Sequence, residues 1–145
     1  MEVAFAQIMT SNNTLRIFLV DDDIFYRAIF QQLVNSLGYT HAGFYNSIEE
    51  VTAESREQVD VIFIDFGVNA SAGIESLKTL KLKNPHIYVV FISATEDADV
   101  IASAVKHGAF DYVVKGGGEA ERIRKILSKI QQIQKLLTKN HYKLF

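Results

Sequence analysis

Hydrophobic positions fall in short blocks that switch between two periods along the chain. Leu15-Arg16-Ile17-Phe18-Leu19-Val20 is β-branched and aromatic and is stopped by an acidic cluster, as expected of a strand. From Ile24 to Leu37 the apolar residues recur three and four apart (Ile29, Phe30, Leu33, Val34, Leu37), and Gly38 follows as a stop. That spacing predicts a helix with this stripe on the core. Tyr39 to Tyr45 suits a second strand, and Ser47-Ile48-Glu49-Glu50 reads as a capping box that opens a short helix. Val61-Ile62-Phe63-Ile64 is purely apolar, the pattern of a central strand covered on both faces. Gly73 to Lys83 is helical in pattern and is closed by Asn84-Pro85, and Ile87 to Ile92 is another buried-type strand. A helix from about Asp97 to His107 ends at Gly108, Phe110 to Val114 supplies a fifth strand, and Glu119 to about Lys139 forms the last and longest helix.

Strands alternating with helices imply βα units, a parallel sheet and right-handed crossovers. Sheets of this class bind ligands outside the carboxyl ends of their strands, at a switch in strand order. The polar residues at those ends are Asp21, Asp22 and Asp23 after the first strand, Asp65 after the third, Ser93 after the fourth and Lys115 after the fifth. Several carboxylates on one rim repel each other unless something compensates, and a hard divalent cation such as Mg²⁺ is the natural partner. Lys115 brings a compact positive charge for a phosphoryl oxygen, and Ser93 brings a small hydroxyl donor. The set matches the electrostatic needs of phosphoryl transfer. Asp65 is the best candidate nucleophile, because a carboxylate can form an acyl phosphate. Taken singly, an Asp at a strand end is more often a helix N-cap, and Asp23 suits that role.

Composition narrows the class further. The chain has 145 residues, 48% hydrophobic and 22% charged, which suits one soluble domain with a single proline and no low-complexity character. There is no cysteine, so disulfides, thiolate metal sites and a cysteine nucleophile are excluded, and a cytoplasmic setting is expected. No apolar run approaches the roughly 18–20 residues that span a bilayer, and the N-terminus lacks the pattern of a secretory signal. The net charge of −2 hides an asymmetry: from Arg122 onward there are seven basic residues and no acid. The other eight basic and 17 acidic residues leave the body at −9. Such a tail marks a nucleic-acid or membrane contact, or else a solvated helix whose cations favour the C-terminal end of the macrodipole. Apolar residues divide the charges, which favours the second reading and makes nucleic acid an unexpected partner.

Five segments together resemble the receiver domain of two-component response regulators. Ile17-Phe18-Leu19-Val20-Asp21-Asp22 is similar to the first strand and its acidic pair, and Asp60-Val61-Ile62-Phe63-Ile64-Asp65 to the third strand and phosphoacceptor. Gly73 stands eight residues later, where receivers usually have Gly. Val89-Val90-Phe91-Ile92-Ser93-Ala94 resembles the fourth strand with its hydroxyl, and Gly108-Ala109-Phe110-Asp111-Tyr112-Val113-Val114-Lys115 the fifth strand with its aromatic switch residue and lysine. The resemblance runs from about Leu15 to Leu127. It implies a flavodoxin-like, doubly wound five-stranded parallel sheet in the order 2-1-3-4-5 with helices on both faces. It also implies that Asp65 accepts a phosphoryl group from a sensor histidine kinase or a phosphotransfer protein. Asp22, Asp65 and the Gly67 carbonyl would then ligate Mg²⁺, with Asp21 acting mainly through water. Ser93 and Lys115 would bind phosphoryl oxygens, and Tyr112 would turn inward to signal to a downstream effector protein. Such a domain catalyses only its own phosphorylation and dephosphorylation.

Two positions depart from that pattern. Asn69 stands where receivers commonly carry Pro, and Lys115-Gly116-Gly117-Gly118 replaces a common Lys-Pro with a cis peptide. Without proline the cis form costs about 2.5–4 kcal/mol, so a trans Lys115–Gly116 link is expected. In the last helix Ile123, Ile126, Ile130, Ile133 and Leu137 form a heptad-like seam. Ile123, Ile126 and Ile130 suit packing on the sheet, whereas Ile133, Leu136 and Leu137 extend beyond it. A second copy, the N-terminal segment (Val3, Phe5, Ile8) or a further domain could cover them. The expected layout is an extension over 1–13, the receiver over 14–129 and a basic helical extension over 130–145, with a homodimer formed through the fourth-helix, fifth-strand, fifth-helix face. A second reading keeps the fold as an adaptor without phosphorylation. A flavin or nucleotide domain is disfavoured, because Asp21-Asp22-Asp23 stands where a phosphate loop would lie.

Overall fold

The structure is a computed structural model and describes residues 15–54, 58–67 and 70–143. Val3, Phe5, Ile8 and Asn69, and with them the expected 1–13 extension, lie outside the described residues. The elements are β1 (Arg16–Val20), α1 (Ile24–Ser36), β2 (His41–Tyr45), α2 (Ile48–Glu54), β3 (Val61–Asp65), α3 (Ala70–Lys83), β4 (Tyr88–Ser93), α4 (Ala98–Lys106), β5 (Asp111–Val114) and α5 (Glu119–Lys143). The five strands form one sheet in the order β2-β1-β3-β4-β5. All pairings are parallel. The fold is therefore the doubly wound, flavodoxin-like sheet expected. Strand order reverses between β1 and β3, which places the ends of those two strands side by side at the switch point.

Alternation within the strands divides the core in two. Ile17, Leu19, Val61 and Phe63 face one side, where Phe30 and Val34 of α1 and Ile123, Ile126, Leu127 and Ile130 of α5 cover them. Phe18, Val20, Ile62 and Ile64 face the other, under Val51 of α2, Leu77 and Leu80 of α3 and Ala104 of α4. Phe66, just past β3, packs edge-on to Phe91 with ring centroids 4.5 Å apart. A Cβ at Gly73 would come within 2.8 Å of that Phe66 ring, so the glycine permits the close approach of α3 to the end of β3.

Several boundaries and faces differ from the pattern-based expectation. The third helix starts at Ala70 rather than Gly73, and α5 runs on to Lys143. On α1, Ile29 is 61% exposed although it belongs to the apolar spacing. Phe30 and Val34, one helical step away, take the sheet-facing line, and Ile29 shares its stripe with the exposed Phe25. Ser47 Oγ accepts from the Glu50 amide at 3.3 Å, but the Glu50 carboxylate accepts from the Asn46 amide at 2.7 Å, so the capping box closes one residue early. On α5, Ile123, Ile126 and Ile130 are buried as expected, whereas Leu136 and Leu137 stand exposed. Among the described residues no helix is long and apolar enough to cross a membrane, and every peptide bond is trans, including Lys115–Gly116.

Candidate functional site

The acids after β1 separate into distinct roles once the backbone is in place. The Asp21 amide continues the ladder by donating to the Tyr45 carbonyl at 3.0 Å, which turns the Asp21 side chain into the interior of the rim. Its carboxylate is buried and accepts from the Asp23 amide at 2.9 Å. Asp23 caps α1 by accepting from the amides of Phe25 at 2.9 Å and Tyr26 at 3.4 Å. Asp22 stays exposed. Carboxylate oxygens of Asp21, Asp22 and Asp65 lie within 4.8 Å of one another, which groups three of the four strand-end acids and leaves Asp23 to the helix.

Asp65 ends β3, and the Gly67 amide donates to its Oδ1 at 3.2 Å. Burial pushes the Asp65 carboxyl above the usual carboxylate range; Lys115 and the Gly67 amide pull it down, while Asp21 and Asp22 push it further up. Lys115 follows β5 at the position where its amide donates to the Ser93 carbonyl at 2.8 Å, a bond that aims the lysine across the sheet end. Its ammonium lies 3.2 Å from Asp21 Oδ2 and 3.7 Å from Asp65 Oδ1. Ser93 Oγ accepts from the Thr95 amide at 3.3 Å, which leaves its own hydrogen free to donate. Asp65, Ser93, Lys115, Phe66 and Thr95 line one open cavity of about 610 Å³. Tyr112 stands inward beside it: the residue is 6% exposed, its ring centroid lies 6.1 Å from that of Phe66, and its hydroxyl donates to the Thr95 carbonyl at 3.4 Å. The structure thus brings Asp21, Asp22, Asp65, Ser93 and Lys115 to one rim, as their positions at strand ends predicted.

Two residues of the site were not expected. The Lys115 ammonium sits over the Tyr26 ring, 4.0 Å from its centroid. The Tyr26 hydroxyl donates to Glu119 Oε2 at 2.6 Å, and Glu119 Oε1 accepts from the amides of Gly116 at 2.7 Å and Gly117 at 3.3 Å. Burial and the Glu119 carboxylate hold the Tyr26 phenol far above its ordinary value. For Glu119, burial pushes upward, but the Tyr26 hydroxyl and the two glycine amides outweigh it and the carboxyl ends below its ordinary value. Gly116, Gly117 and Gly118 adopt φ of 122°, 123° and 78°, a run of backbone that residues with a Cβ rarely follow. A Gly-x-x-Glu pattern at the start of α5 was the available signal for Glu119. Tyr26, four residues before the buried Phe30 on the same helical line, was the signal for the ring.

This fold and this acidic, lysine-bearing rim define a receiver-type domain, and comparison with known proteins agrees. A family model described as the response regulator receiver domain matches residues 17–139, and the chain belongs to that family of two-component signalling proteins. It is 37% identical over 108 residues to the transcriptional regulatory protein ZraR of Escherichia coli K12, covering 74% of this chain and 24% of that protein. Identity to the DNA-binding transcriptional regulator NtrC of the same strain is 31% over 99 residues, covering 68% of this chain and 21% of that protein. The chain thus spans about a quarter of the length of these relatives. A receiver domain protein from Clostridium thermocellum superimposes with a TM-score of 0.73 at 24% identity, covering 85% of this chain and 98% of that one. The beryllofluoride-activated NtrC4 receiver domain dimer superimposes with a TM-score of 0.71 at 20% identity, covering 81% and 96%. Receiver domains generally bind Mg²⁺ at an acidic cluster. The donor set here fits such an ion, since three clustered carboxylates, one of them buried, offer only oxygen and repel each other without a cation.

Proposed function

We propose that the chain is a phosphoacceptor switch of a two-component phosphorelay, acting in the cytoplasm and signalling through protein–protein contacts rather than by turnover. An Asp65 oxygen attacks phosphorus on a phosphohistidine of a sensor histidine kinase or phosphotransfer protein; the phosphorus–nitrogen bond breaks, and the imidazole leaves with the bonding pair and takes up a proton. The product is an acyl phosphate on Asp65. Lys115 holds one phosphoryl oxygen by charge, and the Ser93 hydroxyl donates to another. Asp22, Asp65 and the Gly67 carbonyl would hold Mg²⁺, with Asp21 acting through water, and the ion would supply positive charge to the phosphoryl oxygens. The observation that carries this reading is the placement of Lys115 3.7 Å from Asp65 on the cavity that Ser93 also lines.

Output follows from the same geometry. Ser93, Thr95 and Tyr112 are linked by hydrogen bonds, so a pull on the Ser93 hydroxyl reaches the Tyr112 ring and with it the α4–β5–α5 face. That face, extended by the part of α5 beyond Ile130 with exposed Leu136 and Leu137, is the surface for a homodimer or a downstream effector protein. Incubation with acetyl phosphate and Mg²⁺ followed by intact-mass measurement tests the reading. One phosphoryl group should appear on the native protein and none on Asp65→Asn; a phosphate that persists on the variant refutes Asp65 as the acceptor.

A further inference from the structure

Lys115 lies on a flexible four-carbon stem, and the chain beyond it has little to pack against. A Cβ added at Gly116, Gly117 or Gly118 would meet no atom within 4 Å, so those three residues run through open space at left-handed φ. Three such residues lose much backbone entropy on ordering, and the structure counters that loss through one side chain, Glu119, which accepts from two of their amides. Glu119 is itself tied to α1 by the Tyr26 hydroxyl at 2.6 Å, and the face of the same Tyr26 ring carries the Lys115 ammonium. A phenol that donates to a carboxylate is polarised toward phenolate. Its π face becomes richer in electrons and attracts a cation more strongly.

Building on the phosphoacceptor reading, we propose that Tyr26 and Glu119 are positioning residues that brace Lys115 and the Gly116–Gly118 loop for phosphoryl binding. Tyr26 places the ammonium from below with its ring, and its hydroxyl locks Glu119, which in turn fixes the loop after the lysine. One phenol thus couples the lysine to the start of α5, in a protein whose loop has no proline to stiffen it.

The test compares native protein with Tyr26→Phe, Tyr26→Leu and Glu119→Gln. Before any phosphodonor is added, ring-current shifts of the Lys115 ε-methylene protons are read by NMR. They should be upfield in the native protein and in Tyr26→Phe, and normal in Tyr26→Leu. The Gly116 and Gly117 amide protons should move upfield in Glu119→Gln and Tyr26→Phe, so the brace is tested even if Tyr26→Leu does not fold. With acetyl phosphate, Tyr26→Leu should incorporate phosphate about tenfold more slowly, and Tyr26→Phe, which keeps the ring but loses the bond to Glu119, should recover only part of that loss. Mg²⁺ affinity should stay unchanged, since no ligand is altered. Identical lysine shifts in the native and Leu proteins, an unchanged rate in Tyr26→Leu, or a loss of Mg²⁺ affinity parallel to the rate would each overturn the proposal. Absence of phosphate on the native protein would refute the phosphoacceptor reading, and the NMR shifts alone would then decide the brace.

Discussion

Lys115 is closer to the buried Asp21, at 3.2 Å, than to the more accessible Asp65, at 3.7 Å. The lysine is therefore a structural counter-ion for an interior carboxylate as well as a candidate ligand for a phosphoryl group. Lys115→Ala should destabilise the Mg²⁺-free protein by about 2 kcal/mol, because it leaves the buried Asp21 carboxylate without its cation. Added Mg²⁺ should restore part of the loss. Urea denaturation with and without the ion measures both effects, and equal stability of variant and native protein would show that Asp21 does not depend on the lysine.

Asp22 is the exposed member of the acidic group, so its replacement should alter ion binding more than folding. Asp22→Asn is expected to weaken Mg²⁺ binding by about tenfold or more, since a unit charge close to a cation is worth several kcal/mol even at a high effective dielectric. Titration calorimetry reads this directly. Unchanged affinity would place the ion elsewhere.

The raised carboxyl of Asp65 sets a pH dependence with a definite sign. A carboxyl whose folded value lies above its unfolded value favours the protonated native state, so its contribution to stability falls as the pH rises through the window between the two values. In the absence of Mg²⁺, Asp65→Asn should accordingly be more stable than the native protein at neutral pH. The gap should close as the pH is lowered through the raised Asp65 value. Glu119 runs the other way: its depressed carboxyl contributes stability above the ordinary carboxylate value and loses it as the pH falls through the lowered one. Denaturation of both proteins across the acidic range checks the difference, and parallel curves would refute it.

Gly73 offers a test of packing around Phe66. Gly73→Ala puts a methyl within 2.8 Å of the ring, which is wedged against Phe91 and Tyr112. The helix gains by its intrinsic preference for alanine, but overpacking of this kind costs about 1–3 kcal/mol and should dominate. A lower melting temperature with altered Tyr112 ring signals is the expected result; a higher one would mean that the ring yields freely.

Self-association should depend on salt. Leu136 and Leu137 supply exposed apolar surface, while the seven basic residues from Arg122 onward repel each other in a parallel pair. Raising the ionic strength screens that repulsion and should strengthen a dimer, and Leu136→Glu should weaken it. Sedimentation equilibrium gives both answers. A monomer at all salt concentrations would leave the tail to a different partner.

The sequence by itself determined the rim. Runs such as Ile62-Phe63-Ile64 and Phe91-Ile92 mark where strands stop, and in a parallel sheet every stop lies on the same edge, so Asp21, Asp22, Asp65, Ser93 and Lys115 had to meet once the strands were recognised. Tertiary structure decided what strand ends do not encode. The exposure of Ile29 depended on how wide a stripe of α1 the sheet can cover. Tyr26 and Glu119 are 93 residues apart, and their contact required the rotation of α1 and the reach of α5 to agree within a hydrogen-bond length. Periodicity specifies a face to about a residue, whereas a bond of 2.6 Å is set only when two packed helices fix each other's orientation.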